Sequence, residues 1–343
     1  MLNLLFYFCF SSLIVVSLLL WWLAQRRVKR GGRLLEQRCS VDSPLGMIDV
    51  IAMFFLWIGG QFIGMQVAIG LLGIGPGGLL AAEGPLLSKA TLIVAASQLI
   101  VTFFAILLFL IRYRLLSVVG IQPKNLVVDL KLGLVSFVMV IPGILILQWM
   151  LVQLFKYEHP TMEMLAENAT PLTLVAAWFS AVIVAPICEE IFFRGILQAW
   201  LQRGKGGDPE RLLIGGWDER ESDGGSKRIS RKLDLPVLDP TDSSVLAEPA
   251  QSSNPYQAPG DVNSKIVSRA PSGGPWPIVI SSLLFALVHV GQGPAPVSLF
   301  FFGIALGYIY QRTRSIIPCI ILHMMLNAFS LFWFTLNVFW EQT

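Results

Sequence analysis

The chain has 343 residues, of which 55% are hydrophobic and 14% charged, with a formal net charge of +3. Soluble domains carry about 25% charged residues, so composition assigns the chain to the membrane class. The small net charge, without a basic cluster interleaved with aromatics, excludes nucleic acid as a partner. Four scattered cysteines (Cys9, Cys39, Cys188 and Cys319) form neither a disulfide framework nor a CxxC metal pair.

The first apolar run, Leu4 to Ala24, precedes Arg26-Arg27-Val28-Lys29-Arg30. A signal peptide has its positive charge before the apolar core and a small-residue cleavage site after it. This order is reversed here, which predicts a retained first transmembrane helix. A span needs about 20 apolar residues. Candidate spans lie at about 3–24, 47–74, 90–112, 131–155, 171–200, 276–292, 295–311 and 316–340. The expected fold is therefore an all-α multi-pass membrane protein with about eight transmembrane helices around a polar intramembrane site.

Basic residues cluster at 26–38, at Arg112, Arg114 and Lys124, after Trp200, and at Arg312 and Arg314. They alternate with loops near 75–89, 156–170 and 291–295 that hold only Lys89 and Lys156. The positive-inside rule then predicts both termini outside and the basic loops in the cytoplasm. In a prokaryote the expected location is the inner, plasma membrane.

Three regions are expected. Residues 1–170 supply about four transmembrane helices; 171–201 with 276–340 form the membrane core that carries the chemistry; 202–275 are an insert. The insert is rich in Gly, Pro, Ser and charges of both signs, a composition that cannot bury enough apolar surface to offset its ordering entropy. It is expected to be mostly disordered and cytoplasmic. Glycine pairs Gly60/Gly64 and Gly303/Gly307 have the spacing of close helix approach.

The fifth segment holds the charges that composition cannot explain. It reads Ala185-Pro186-Ile187-Cys188-Glu189-Glu190-Ile191-Phe192-Phe193-Arg194-Gly195. An ionisable side chain at bilayer depth costs ~2.5–3.5 kcal/mol, so such residues mark function. Glu190 and Arg194, four apart, share a helical face and lie within ion-pair reach. Glu189 is rotated by about 100° and can face a cavity. Pro186 is expected to kink this helix and admit water to the polar residues. His289, preceded by Phe285, lies in the sixth segment, and His323 and Asn327 share one face of the eighth. The least costly way to satisfy these groups in hydrocarbon is one shared cluster.

Cys188 falls on a different face from Glu189, and no HExxH motif is present. Two chemistries remain open for the cluster. Glu189, His289 and His323 can hold a divalent metal such as Zn. Without metal, Glu189 with His289 can activate a water while His323 and Asn327 donate to an oxyanion. Either route hydrolyses a peptide bond.

Glu-Glu-x-x-x-Arg, Phe-x-x-x-His and His-x-x-x-Asn, on three membrane helices in this order, resemble the CPBP intramembrane proteases. That family includes CAAX prenyl endopeptidases and relatives linked to bacteriocin immunity. The similarity runs from about Leu172 to Phe329, interrupted by the insert. The resemblance implies that Glu189 and His289 activate the water and that His323 and Asn327 form the oxyanion hole. It also implies that Glu190 and Arg194 support the site and that Phe285 packs it. The family has been described both as metalloproteases and as metal-independent glutamate proteases; the second description requires no cofactor and is preferred here. The implied partner is a membrane-embedded or lipid-modified peptide or protein. Two other classes are a non-catalytic immunity or scaffold protein and a proton-coupled transporter; the lack of an internal repeat weighs against the transporter.

Overall fold

A computed structural model describes residues 2–38, 43–75, 83–113, 116–155, 160–203, 213–214 and 274–341. The insert expected at 202–275 lies outside the described residues, except for 202–203, 213–214 and 274–275. The described chain is helical. In order it forms α1 (Leu2–Lys29), α2 (Met47–Leu72), α3 (Gly84–Tyr113), α4 (Leu126–Phe155) and the short α5 (Pro160–Glu167). These are followed by α6 (Pro171–Leu201), α7 (Trp276–Leu287), α8 (Ala295–Thr313) and α9 (Ile317–Glu341).

Among the described residues six helices, α1 to α4, α6 and α9, are long and apolar enough to cross a membrane. Their lipid exposure varies. Only 6% of the apolar window of α1 is buried within the protein, against 39% for α6 and for α9. α1 therefore presents most of its apolar surface outward, and the polar site lies where burial is greatest.

The expected sixth and seventh spans are helices, but the sixth is shorter than the 276–292 read from its apolar run. α7 has 12 residues, about 18 Å, whereas a hydrocarbon core is about 30 Å thick. The chain leaves the helix at Val288, and Gly291 and Gly293 take positive φ values of 106° and 59° ahead of Pro294. α8 has 19 residues, and its last turns hold Gln311, Arg312 and Thr313, which lower its apolar character. α5, in the expected 156–170 loop, carries no pattern that separates it from a loop in the sequence.

Helix directions follow from paired contacts. A Cβ on Gly303 would meet the Ser282 Cα at 3.1 Å, and one on Gly307 the Ile278 Cγ2 at 2.8 Å, so α7 and α8 run antiparallel in close contact. Gly60 and Gly64 do the same for α2 and α3, against Val101 and Val94. Both glycine pairs thus perform the packing role their spacing predicts. α9 lies along α4, where Gly133 leaves room for Ile321 and Phe137 packs on Phe329. α1 docks on α4 through Ser17 and Trp21, which both donate to the Met139 carbonyl, at 3.3 and 2.9 Å.

Gly307 tests this packing. A Cβ there would meet the Ile278 Cγ2 at 2.8 Å and the Gln198 Oε1 at 3.0 Å, and Gln198 is itself fixed by a hydrogen bond to the Gly307 carbonyl. Gly307→Ala should therefore destabilise by about 1–3 kcal/mol as overpacking. Gly70→Ala, in open space, should be neutral or slightly stabilising because alanine is the better helix former. Thermal unfolding of the two variants in detergent separates the cases, and equal midpoints would refute the tight contact.

Candidate active site

The site is organised by α6, which is not a uniform α-helix. π turns at Phe179–Val184 and Ile191–Gln198 flank an α-helical stretch at Ala185–Glu190. π turns are rare and cluster at functional sites. Their local logic is visible at Pro186. The Ala185 N–H donates to the Ser180 carbonyl five residues back, and in the same register Pro186 would face the Ala181 carbonyl. Proline has no hydrogen to give. The orphaned Ala181 carbonyl instead accepts from Asn327 Nδ2 at 2.7 Å, across from α9. Pro186 thus acts by opening the helix to a neighbouring side chain.

That bond belongs to a series. Going back along α6, Glu190 meets His323, Ala181 meets Asn327, and Trp178 donates to Thr335. The partners on α9 advance as those on α6 recede, so the two helices are antiparallel and fastened by side-chain hydrogen bonds along their contact.

Glu190 and Arg194 are both fully buried, and Arg194 Nη1 donates to Glu190 Oε1 at 3.0 Å. The same carboxylate oxygen accepts from His323 Nδ1 at 2.9 Å. Arg194 also donates to the Gly303 carbonyl at 3.4 Å, and its guanidinium lies 4.5 Å from the Phe285 ring centroid. A desolvated cation over an aromatic face is stabilised by about 2 kcal/mol. One buried ion pair therefore reaches α7 by its ring, α8 by its carbonyl and α9 by its histidine.

Glu189 faces a different direction. Its side chain is 14% exposed, and its Oε2 lies 3.9 Å from His323 Nε2. That oxygen is buried and accepts no hydrogen bond among the described residues. His323, His289, Glu190 and Arg194 are the ionisable groups close enough to act electrostatically on Glu189. His289 follows the last turn of α7, where Nδ1 lies 2.8 Å from the Phe285 carbonyl. A carbonyl only accepts, so Nδ1 carries the hydrogen, and a neutral ring keeps its lone pair on Nε2. Phe285 sits between the two histidines, with ring centroids 5.0 Å from His289 and 5.7 Å from His323.

Of the residues singled out in the sequence, Glu189, Glu190, Arg194, Phe285, His289 and His323 come together. Asn327 is turned instead to the α6 backbone about two turns before Glu189. Each amide nitrogen has two hydrogens, and this bond uses one of them. Cys188 faces α3, where its sulfur accepts from Thr102 at 3.2 Å, as expected for a residue on another face from Glu189. Among the described residues no three His, Cys, Asp or Glu side chains converge to hold a metal ion. The donor types suit zinc, but their placement does not form a cage, so the chemistry below is derived from the chain's own groups.

The sequence reading missed Gln198. It is fully buried, donates to the Gly307 carbonyl at 2.8 Å and accepts from Ser281 at 3.2 Å. The signal was available: Glu190, Arg194, Gln198 and Gln202 recur at four-residue spacing and all are buried. Uncharged amides do not stand out in an apolar run as glutamates do. Gly195, which flanks the motif, has a packing role of its own. A Cβ there would meet the Val119 carbonyl at 2.7 Å, so its lack of a side chain lets α6 pass beside the turn at Leu116–Val119.

A family model described as type II CAAX prenyl endopeptidase Rce1-like matches residues 171–216 and 262–329. Over these residues the chain is similar to that family of peptidases, which bears out the resemblance read from the three motifs. The matched stretches contain every residue of the cluster and omit 217–261, inside the insert. No curated protein and no solved structure matches the chain.

The ion pair yields a stability test. Glu190→Ala or Arg194→Ala strands a buried charge and should cost ~3–5 kcal/mol. A Glu190→Met/Arg194→Met double variant removes both charges and should regain much of that loss. Thermal midpoints in detergent read the difference, and single variants as stable as the wild type would refute the pairing.

Proposed function

We propose that the chain is an intramembrane endopeptidase that hydrolyses peptide bonds in membrane-associated or lipid-modified proteins. The observation that carries this reading is the partnerless, buried Glu189 Oε2 beside His323 Nε2, inside the segments similar to the peptidase family. A buried polar atom without a partner in a charged cluster is a candidate for contact with a reactant, and Glu190 Oε2 and Arg194 Nε beside it share that condition.

Glu189 and His289 act on the water. The His289 tautomer, set by the Phe285 carbonyl, leaves Nε2 able to accept a proton. As the water oxygen bonds to the scissile carbonyl carbon, its proton passes to Glu189 or His289. The carbonyl electron pair becomes an oxyanion, held by His323 Nε2–H and the second hydrogen of Asn327. For that role His323 carries hydrogens on both nitrogens, with Nδ1–H directed to the Glu190 carboxylate. Collapse of the oxyanion breaks the C–N bond, and the captured proton leaves with the amine. Glu190 and Arg194 orient His323 and do not touch the substrate.

The same reading places the chain as a multi-pass protein with α7 and α8 completing an eight-pass order. Its support is directional: α6 runs parallel to α8 and antiparallel to α7 and α9, while α4 runs parallel to α9. These are the relations an alternating order requires. The Lys- and Arg-rich loops then face the cytoplasm, and if the source is a prokaryote the membrane is the inner, plasma membrane.

Cleavage of a quenched membrane-peptide library by purified protein tests the function. Glu189→Gln should lower turnover by about 10²–10⁴-fold while leaving the thermal midpoint unchanged. Wild-type activity should survive a chelator; its loss would instead make Glu189, His289 and His323 metal ligands. A Glu189→Gln variant that cleaves like the wild type would overturn the assignment. A wild type that binds the peptides without cleaving them would favour a scaffold.

A further inference from the structure

α1 ends in a structure that the proposed chemistry does not use. Its last turn closes with the Gly31 N–H donating to the Val28 carbonyl and the Gly32 N–H to the Arg27 carbonyl, both at 3.0 Å. With Gly31 at φ +85°, this is a Schellman cap that satisfies the helix-end carbonyls and turns the chain back. Gly32 is held to glycine by contact: a Cβ would meet the Arg27 Cγ at 2.9 Å and the Arg27 carbonyl at 3.0 Å. The reversal borders an open surface pocket of about 350 Å³ lined by Leu23, Arg26, Arg27, Arg30 and Gly32.

We propose that this hook binds the phosphate headgroup of an anionic glycerophospholipid. Charge is the first argument. Glu36 takes Arg27 as its partner, and no carboxylate among the described residues pairs with Arg26 or Arg30, so two positive charges are left for a ligand. Orientation is the second. The Arg26 guanidinium stacks 3.8 Å from the Trp22 ring centroid, which holds its donors in a fixed plane. Guanidinium forks match phosphate oxygens in pairs. Position is the third. Trp22 and Leu23 end the apolar run of α1, and the arginines begin directly after it, the level at which headgroups lie. Leu23 gives the pocket an apolar wall toward the acyl side. With α1 only 6% buried, lipid rather than protein covers its flank. A free phosphate shares the charge chemistry but has no use for that wall or that level.

The test uses the full chain in detergent, with bound lipid counted by native mass spectrometry. Phosphatidylglycerol and phosphatidylcholine are titrated in parallel, and inorganic phosphate is added as competitor. The wild type should retain one phosphatidylglycerol at least about tenfold more tightly than phosphatidylcholine. Arg26→Gln/Arg30→Gln should lose on the order of 30-fold in phosphatidylglycerol affinity, the loss expected for two interfacial charges. Arg33→Gln, in the same loop but outside the pocket lining, should bind as the wild type does. Both arginines are exposed, so an unchanged thermal midpoint in lipid-free detergent certifies the fold of the double variant. Equal retention of the two lipids, or undiminished binding by the double variant, would overturn the proposal. Displacement by millimolar inorganic phosphate would assign the site to a free anion and overturn its assignment to a lipid.

Discussion

A charge pair without access to water organises this protein. Glu190 and Arg194 are fully buried, and neither can be satisfied within its own helix. Each carries more hydrogen-bonding capacity than the other can fill, and every unfilled position in a low-dielectric interior is costly. The remaining capacity is directed outward, to His323 on α9, the Gly303 carbonyl on α8 and the Phe285 ring on α7. α7, α8 and α9 thus pack against α6 where they answer its charges, while α2 and α3 meet it through Trp57 on Phe192 and Thr102 on Cys188. In a membrane, where apolar faces gain little from meeting one another, such polar contacts and close glycine packing bear most of the specificity. Gly303 illustrates both: its missing side chain brings α8 close to Ser282, and its exposed carbonyl serves Arg194.

A second constraint lies in the backbone of α6. A proline in a membrane helix leaves a carbonyl unpaired where no water is at hand to accept the debt. Here the π turn puts that carbonyl at Ala181, and Asn327 fills it. The asparagine is thus structural in its first hydrogen bond, with one amide hydrogen left over.

The all-helical class, the positions of eight of the helices and the charged cluster were legible from apolar run lengths and from charges that do not belong in them. The Glu190–Arg194 contact followed from four-residue spacing alone, and the glycine pairs from theirs. What was not legible has physical causes. α7 stops at Leu287, ahead of the positive-φ Gly291 and Gly293, while the apolar run continues through Val288 and Val290. The ties of Asp49 to Tyr113 at 2.6 Å and of Asp129 to Arg38 at 2.6 Å join residues 64 and 91 positions apart. No local pattern encodes such pairings. Gln198 was overlooked because an amide in an apolar run carries no charge to mark it.

Glu189 and Glu190 are the same residue type, adjacent in the chain, and the fold gives them different surroundings through rotation alone. One hundred degrees along the helix turns Glu190 toward Arg194 and His323, where one of its oxygens accepts from both. The same rotation turns Glu189 away from Arg194, with its side chain 14% exposed and Oε2 3.9 Å from His323 Nε2. The histidines repeat the division. Each has its Nδ1 assigned, His289 to the Phe285 carbonyl and His323 to Glu190, so each is held by one nitrogen. A group that must change protonation during a reaction cannot also hold the fold together, since the fold would then loosen each time a proton moved. Separating the contacts, between adjacent glutamates and between the two nitrogens of each ring, leaves Glu189 Oε2 and the two Nε2 atoms outside the hydrogen bonds that fix the frame among the described residues.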